Sequence, residues 1–220
     1  MNRQQIEAAL GVAVVEVAPL SGGCIGQVYC LRLADGERVV AKVDDQPDSQ
    51  LAREGEMLRY LAAHSDLPVP AVLHLETGLL LMEFLPGDSH FSAKAQEHAA
   101  ELLAALHQVT APAFGLEQPT LIGGLHQPNP WMDSWLDFFR EQRLLAMGGE
   151  GVRAGRLPTA VFQRLAAFSE HLERWLVEPE RPSLIHGDVW TTNVLAVGDR
   201  ITGFVDPAIY YAHPEIELAF

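Results

Sequence analysis

The side chains best suited to chemistry lie late in the sequence, in the segment HGDVWTTN and at the aspartate of VDP that follows it. This region supplies two carboxylates, Asp188 and Asp206, and one amide, Asn193. Such oxygen donors suit Mg²⁺, a hard cation that is often shared between a protein and substrate phosphates. Any one of these residues by itself would indicate only a hydrogen-bonded Asx turn. The combination favours a phosphate site that uses a metal ion.

A predicted β-hairpin brings two of these residues together. The Gly198-Asp199 turn lies between two largely apolar stretches, NVLAV and RITGFV. Pairing across that turn would set Asn193 opposite Phe204. The open end of the hairpin would then hold Asn193 and Asp206 close together.

A lysine–glutamate pair is the second chemical signal. Only two lysines occur in the chain, and Lys42 lies within the predicted strand VVAKVD, where a lysine is ordinarily solvated. Glu54, however, follows Leu51 by three residues and precedes Leu58 by four, so it shares the leucine stripe of a predicted helix. A carboxylate that faces the core is costly unless it is paired. Lys42 is the expected partner.

A glycine-rich turn, SGGCIG, precedes the strands that lead to Lys42. Its glycines would let backbone N–H groups approach a phosphate closely, although a turn of this kind is more often only a hairpin. The sequence has no G-x-x-x-x-G-K-[ST] motif, which excludes a Walker P-loop. The turn, the lysine–glutamate pair and the acidic cluster follow one another in the order found in kinases.

Two lobes are expected to position these groups. Residues 1–86 contain alternating strand patterns and one helix, which predicts a nucleotide-binding N-lobe of small-sheet type. Residues 87–220 contain three segments of helical spacing and then the hairpin, which predicts a helical C-lobe. The predicted fold is therefore α+β, with a two-lobed arrangement like that of protein kinases.

The composition of the chain limits the classes of ligand and the cellular location that are expected. The formal net charge of −14 makes nucleic acid and anionic membranes unlikely ligands. The two cysteines cannot form a disulfide framework, and the N-terminus has no signal-peptide pattern, so a cytoplasmic protein is expected. No apolar run approaches the roughly 20 residues that span a bilayer. Histidine spacing typical of a transition-metal site is also missing.

The sequence is similar to the protein-kinase-like superfamily of small-molecule kinases, and most similar to the fructosamine/ketosamine-3-kinase family. The motifs that carry this resemblance are SGGCIGQVY, AKVD, LAREGEML, LLMEFL, LIHGDVWTTNVL and VDPAIYYAHPEIELA. HGD-x-x-x-x-N alone also fits aminoglycoside phosphotransferases and choline kinases. The loop with Gln127 and Asn129, which leads to Arg143, favours the ketosamine kinases.

The resemblance implies a role for each site residue. The implied ATP contacts are Gly22, Gly23, Cys24, Lys42 with Glu54, and the hinge residues Met82, Glu83 and Phe84. Asp188 would be the base that deprotonates the sugar hydroxyl, while Asn193 and Asp206 would hold Mg²⁺. The implied substrate contacts are Trp190, Tyr211 and His213, each of which has a purely structural role as its alternative.

The implied activity is transfer of the ATP γ-phosphate to a hydroxyl, O3, of ribulosamine- or fructosamine-type ketosamines, in the repair of glycated amines. One alternative is a kinase for an aminoglycoside or a choline-like alcohol. The other is a nucleotide-binding fragment without turnover, because family members continue beyond the position of Phe220 and the C-lobe is expected to be truncated there.

Two further expectations concern the glycine-rich turn. Gly26 stands where the family often has a polar residue, which would alter the grip on ATP. Cys24 would have a lowered thiol pKa near Lys42, so oxidation there is expected to inhibit the protein, with a redox-linked dimer through Cys24 as one form. Cys30 lies within a predicted strand and is expected to be an inert packing residue.

Overall fold

The computed structural model describes residues 2–20 and 26–219, and its N-terminal part is a five-stranded antiparallel sheet with two helices. Along the sheet, the strands follow one another in the order first, second, third, fifth and fourth. The elements are α1 (Arg3–Leu10), β1 (Val14–Pro19), β2 (Gln27–Leu33), β3 (Arg38–Val43), α2 (Leu51–His64), β4 (Val72–Glu76) and β5 (Leu79–Glu83).

The two faces of β3 are covered by different helices. The odd-numbered positions of β3 pack in a cluster that includes Ile6 of α1. Val40 packs in a second cluster with Leu51 and Leu58 of α2. Because side chains alternate along a strand, Lys42 also projects toward α2. The sequence predicted that Lys42 meets α2 but did not predict α1, which is capped by Asn2 at its start and by Gly11 at its end.

The C-terminal part consists of helices and three two-stranded sheets. Its helices are α3 (Ala93–Leu106), α4 (Trp135–Phe138), a π-helix (Phe139–Leu145), α5 (Ala146–Arg153) and α6 (Thr159–Ser169), with short 3-10 turns at Leu172–Arg174, Thr191–Asn193 and Pro214–Ala219. The strand pairs are β6 (Thr120–Ile122) with β7 (Leu125–Gln127), β8 (Ser183–Ile185) with β11 (Tyr210–Ala212), and β9 (Val194–Val197) with β10 (Arg200–Phe204).

Four details of the C-lobe differ from the sequence predictions. The predicted second helix is interrupted by the π-helix, and the predicted third helix ends at Ser169. The stretch predicted as a loop between the first two helices contains the β6–β7 hairpin. The β9–β10 turn pairs Val197 with Arg200 as predicted, but a bulge after Ile201 shifts the register, so that Phe204 lies opposite Val194.

One hydrophobic cluster crosses the predicted lobe boundary. Met57 and Leu61 of α2 belong to the same buried cluster as Leu106, Phe138 and Phe204. The division at residues 86 and 87 therefore stays a prediction about sequence segments, whereas α2 and the C-lobe share a core.

Candidate active site

Three charged side chains meet between the sheet and the C-lobe. The Lys42 ammonium donates to Glu54 Oε1 at 2.6 Å and also to Asp206 Oδ1. Lys42 and Glu54 are 4% and 5% exposed. Strand β3 supplies the lysine, α2 supplies the glutamate and the segment after β10 supplies the aspartate. The predicted pairing of Lys42 with Glu54 is therefore present.

Burial governs the protonation of this cluster. It raises the pKa of the Glu54 carboxyl to about 7, against the opposing attraction of Lys42. Burial also acts to lower the pKa of Lys42, but the charges of Glu54 and Asp206 outweigh it and raise this pKa. Lys42 is therefore a permanent cation at neutral pH, placed to meet a negative charge.

Asp188 and Asn193 form the opposite side of the cluster. The Asn193 amide donates to Asp188 Oδ2 at 2.8 Å and to the Asp188 backbone carbonyl at 3.0 Å. Partial burial raises the pKa of Asp188, although the hydrogen bond from Asn193 acts against this shift, and the charge of Asp206 adds to it. A carboxylate with a raised pKa and a fixed orientation is suited to accept a proton from a hydroxyl.

Tight backbone contacts hold the segments of Asp188 and Asp206 together. The amide N–H of Ala208 donates to the carbonyl of His186 at 2.7 Å. Gly187 has a φ of +84°, and a Cβ added to it would lie 2.2 Å from the carbonyl oxygen of Ala208. Among the described residues, Asp206 is also the one non-glycine residue with positive φ, at +54°. Such strained backbone is concentrated at functional sites.

Glu217 holds the segment that leads to Asp188 by a hydrogen bond to Gly187. Its side chain is fully buried, accepts from the Gly187 N–H at 2.6 Å and lies 2.7 Å from Nε2 of His107, the residue that ends α3. Neither Glu217 nor His107 was predicted from the sequence as a site residue. The sequence feature that could have indicated Glu217 is its position between Ile216 and Leu218, since apolar neighbours favour a buried segment.

A polar network behind the site involves the residues that distinguished the ketosamine kinases. The buried Gln127 amide donates to the carbonyls of Leu121 and Ala208, at 3.3 Å each. Arg143 donates to Asn129 Oδ1 at 2.6 Å and stacks on the ring of Tyr210, 3.9 Å from its centre. These contacts fasten the β6–β7 hairpin and the following loop to the segment that carries Asp206.

The cleft brings together six of the predicted site residues. Its lining comprises Lys42, Glu54, Met57, Leu121, Gly123, Asp188, Trp190, Thr192, Asn193, Asp206 and Pro207. Trp190 is half exposed at its mouth. Met57, Leu121 and Gly123 were not predicted as site residues.

Other predicted residues lie elsewhere. Tyr211 is buried, and its hydroxyl contacts that of Tyr60 on α2 at 3.2 Å, while the His213 ring lies 6.1 Å from that of Trp135. Neither Tyr211 nor His213 lines the cleft, so the structure favours their alternative role in packing.

The hinge residues stand apart from this lining. Met82 is buried against α2, Glu83 is exposed, and Phe84 carries the Arg38 guanidinium 3.8 Å above its ring centre. Gly22, Gly23 and Cys24 lie outside the described residues, so their roles, including a dimer through Cys24, stay predictions. Cys30 lies on β2 and is half-buried.

The donor set fits Mg²⁺. The hydrogen bonds from Asn193 to Asp188 use its amide nitrogen, so its Oδ1 does not take part in them. Asp206 has a second carboxylate oxygen besides the one that pairs with Lys42. In residues 2–20 and 26–219, no group of three or more His, Cys, Asp or Glu side chains could hold a metal by itself. A site of two oxygen ligands completed by substrate phosphates is the arrangement that Mg²⁺ prefers.

No helix in the described part of the chain has both the length and the apolar character needed to cross a bilayer.

Comparison with known proteins connects this geometry to a family. The model of the fructosamine kinase family matches residues 1–220. The "probable ketoamine kinase" of Synechocystis is 34% identical over 234 aligned residues, which cover 98% of this chain and 74% of that protein. The "probable ketoamine kinase" YniA of Escherichia coli K12 is 29% identical, with 96% of this chain and 74% of that protein covered.

Solved structures show the same fold. A Thermobifida fusca protein assigned to the fructosamine-3-kinases superposes with a TM-score of 0.87 at 29% identity, covering 99% of this chain and 76% of its own. An aminoglycoside phosphotransferase in a ternary complex with ADP and hygromycin B gives a TM-score of 0.72 at 20% identity, covering 99% and 74%. The predicted kinase-like α+β fold is confirmed.

Proposed function

Because the chain belongs to the fructosamine kinase family, and is thus a phosphotransferase with a hydroxyl acceptor, we propose that it transfers the γ-phosphate of ATP to ketosamines. The proposed acceptor atom is O3 of ribulosamine- or fructosamine-type adducts. Phosphorylation at this oxygen makes such an adduct prone to decompose, so the reaction would help to remove sugars from glycated amines.

The observation that carries the proposal is the pairing of Asp188 with Asn193 across the cleft from Lys42. The carboxylate accepts a hydrogen bond of 2.8 Å from the Asn193 amide, and the lysine forms an ion pair of 2.6 Å with Glu54. One side of the cleft therefore offers a base, and the other offers a fixed cation. Phosphoryl transfer to a hydroxyl needs both groups, since catalysis of this reaction depends on positioning and on charge stabilisation.

Each residue then has a defined task. Lys42 binds phosphate oxygens of the nucleotide and is kept in place by Glu54. Asp188 accepts the proton of the sugar hydroxyl while the hydroxyl oxygen forms a bond to the γ-phosphorus of ATP. The bond between the γ-phosphorus and the β,γ-bridging oxygen breaks at the same time, and ADP is released. Trp190 offers an aromatic surface for the sugar at the mouth of the cleft.

Asn193 and Asp206 would hold Mg²⁺ through their remaining oxygens. When bound, the ion supplies neutralisation of the phosphate charge. Among the described residues, the cleft lining contains three carboxylates, those of Glu54, Asp188 and Asp206, and one ammonium, that of Lys42. This excess of negative charge suits the protonated amine that a ketosamine carries.

A second candidate is an aminoglycoside-type kinase. The observation that favours it is the fold shared with the phosphotransferase bound to ADP and hygromycin B. Polyamine antibiotics would also suit the acidic cleft, so charge does not separate the two candidates. Ketosamines and aminoglycosides do differ in size and in the arrangement of their hydroxyl groups, and these differences separate the two candidates.

A screen of acceptors tests the proposal. The purified protein is given ATP and Mg²⁺ with fructosyl-lysine, ribulosyl-lysine, hygromycin B or choline, and ADP release is recorded together with NMR assignment of the phosphorylated carbon. We expect turnover on the ketosamines, with the phosphate on C3. A preference for hygromycin B or choline, or a phosphate on another carbon, would contradict the proposal. ADP release that stays at the level of an enzyme-free control with every acceptor would indicate a nucleotide-binding fragment without turnover.

A further inference from the structure

We propose that the tip of the β6–β7 hairpin forms the acceptor-side wall of the cleft, and that Gly123 limits which acceptor fits there. This inference deepens the proposed function and rests on it for the identity of the acceptor. No motif of the sequence analysis assigned a role to this glycine.

The hairpin tip reaches the reacting end of the cleft. Gly123 and Leu121 line the same cavity as Asp188 and Trp190. The hinge lies at the other end of the sheet, because Glu83 pairs with Val39 while Lys42, three residues further along β3, pairs with Leu80. Three residues of strand span about 10 Å. Gly123 therefore lies toward the phosphates and the acceptor, away from the adenine end.

The hairpin is fixed to the C-lobe on one side. Gln127, which is 2% exposed, donates both to Leu121 across the hairpin and to Ala208, two residues after Asp206. Asn129 donates to Thr120 Oγ1 at 2.8 Å. A wall tied to the segment of Asp206 in this way has a set distance from the reacting groups.

It is fixed to α2 on the other side. The guanidinium of Arg53 donates to the carbonyl of Pro119 at 2.5 Å. Leu121 and Met57 are buried in one cluster, and Met57 lies on the same helix as Glu54. The hairpin is thus in contact with α2 and with the segment that carries Asp206, the two elements that supply the partners of Lys42.

Gly123 keeps this boundary thin. Its φ is +54°, in the left-handed region that glycine adopts without strain. The next residue, Gly124, is exposed. Gly123 itself adds no side chain to the lining of the cleft. A side chain at Gly123 would occupy space that the acceptor needs.

The test is Gly123→Asn, because asparagine tolerates left-handed backbone better than other residues with a side chain. The matched control is Gly11→Asn at the end of α1, where φ is +69° and an added Cβ meets nothing within 4 Å. Steady-state kinetics are measured for acceptor and for ATP. We expect the acceptor KM of Gly123→Asn to rise about tenfold or more, as for a displaced substrate. The ATP KM of this variant, and both constants of Gly11→Asn, should stay near wild type.

A second variant protects the test against misfolding. Gly123→Ala adds a single methyl group at the same position of the cleft lining, and the same separation of acceptor KM from ATP KM is expected to a smaller extent. An unchanged acceptor KM in both variants would overturn the inference. So would an equal rise in both constants, because the hairpin would then cover the nucleotide.

The two proposals fail differently. If wild-type protein phosphorylates hygromycin B or choline and no ketosamine, the proposed function is wrong. The ratio of variant to wild-type KM, measured with the acceptor that the wild type does use, still decides whether Gly123 lies in the acceptor wall.

Discussion

The side-chain amide of Asn193 donates two hydrogen bonds to Asp188, one to the carboxylate at 2.8 Å and one to the backbone carbonyl at 3.0 Å. A single side chain thus fixes the orientation of the carboxylate and the peptide that carries it. The opposite atom of the amide, Oδ1, is left for a cation. The proposed base, Asp188, and the proposed metal ligand, Asn193, therefore hold each other in a fixed orientation.

Replacement of the base should abolish transfer but not nucleotide binding. In Asp188→Asn the hydroxyl loses its proton acceptor, and we expect kcat to fall about 10²–10⁴-fold. ATP affinity should remain, because Lys42 and Glu54 are untouched. Turnover and ATP titration by calorimetry are the measurements. Asp45→Asn, an exposed aspartate outside the cleft, is the control, and near wild-type turnover by Asp188→Asn would remove Asp188 from this role.

Removal of Lys42 should destabilise the protein in a pH-dependent way. Lys42→Met leaves Glu54 buried without its cation, and breaking a buried pair costs about 3–5 kcal/mol. The other lysine, Lys94, is exposed and lies 3.7 Å from Asp199, so Lys94→Met should cost less than about 1 kcal/mol. Chemical denaturation at pH 7 compares the two free energies of unfolding, and equal losses would show that the buried pair is not important.

The sign of the pH dependence follows from Glu54. Its pKa is about 7 in the folded protein against an ordinary value of 4.5, and loss of the lysine charge raises the folded value further. Between 4.5 and the folded pKa, the unfolded chain has lost a proton that the folded chain keeps, so stability falls as pH rises. Lys42→Met should therefore melt at a lower temperature at pH 8 than at pH 5. Addition of Glu54→Gln should flatten that slope, and an equally steep slope in the double variant would assign it to another group.

A methyl group at Gly187 should disrupt the loop before Asp188. The Cβ would lie 2.2 Å from the Ala208 carbonyl oxygen, and the φ of +84° adds strain. We expect Gly187→Ala to lose more than about 3 kcal/mol of stability. Gly198→Ala is the control, since φ is +61° and no atom lies within 4 Å, so about 1–2 kcal/mol from backbone strain is expected. Similar losses for both variants would mean that the Ala208 contact relaxes easily.

The buried carboxylate of Glu217 should matter for turnover as well as for stability. Glu217→Leu leaves the Gly187 N–H and the His107 ring without their partner, at a cost of about 1–3 kcal/mol, and we expect a lower kcat. Glu217→Gln should recover part of both, because its amide oxygen can still accept from Gly187. Glu215→Leu tests an exposed glutamate in the same turn. Loss of stability without any change in kcat would limit Glu217 to a structural role.

The parts of the site that depend on local pattern were predictable. Glu54 shares a helical stripe with Leu51 and Leu58, and the cost of burying a lone carboxylate made Lys42 its partner. The hairpin after Asn193 followed from its turn residues. Its register was wrong by one residue because a bulge is not encoded by alternation, and the extra position is stabilised by the contact of Thr202 with Pro86 at 2.5 Å.

The parts that depend on distant contacts were not predictable. Glu217 and His107 are 110 residues apart in sequence, and neither belongs to a local pattern that would indicate a partner. Leu121 and Gly123 lie in a stretch of glycine and proline that predicts a loop. Their place in the cleft results from the hydrogen bonds of Gln127, whose partners include Ala208, far along the chain.

The π-helix at Phe139–Leu145 makes the proposed acceptor wall depend on helical phase. A π-turn accommodates one more residue than an α-turn, and each residue of an α-helix rotates the side-chain direction by about 100°. Arg143, inside this turn, reaches Asn129 only at one rotation. The helix therefore tolerates changes of composition at its exposed positions but not the gain or loss of a single residue. Its length, counted in residues, is what keeps the loop beside the cleft in place.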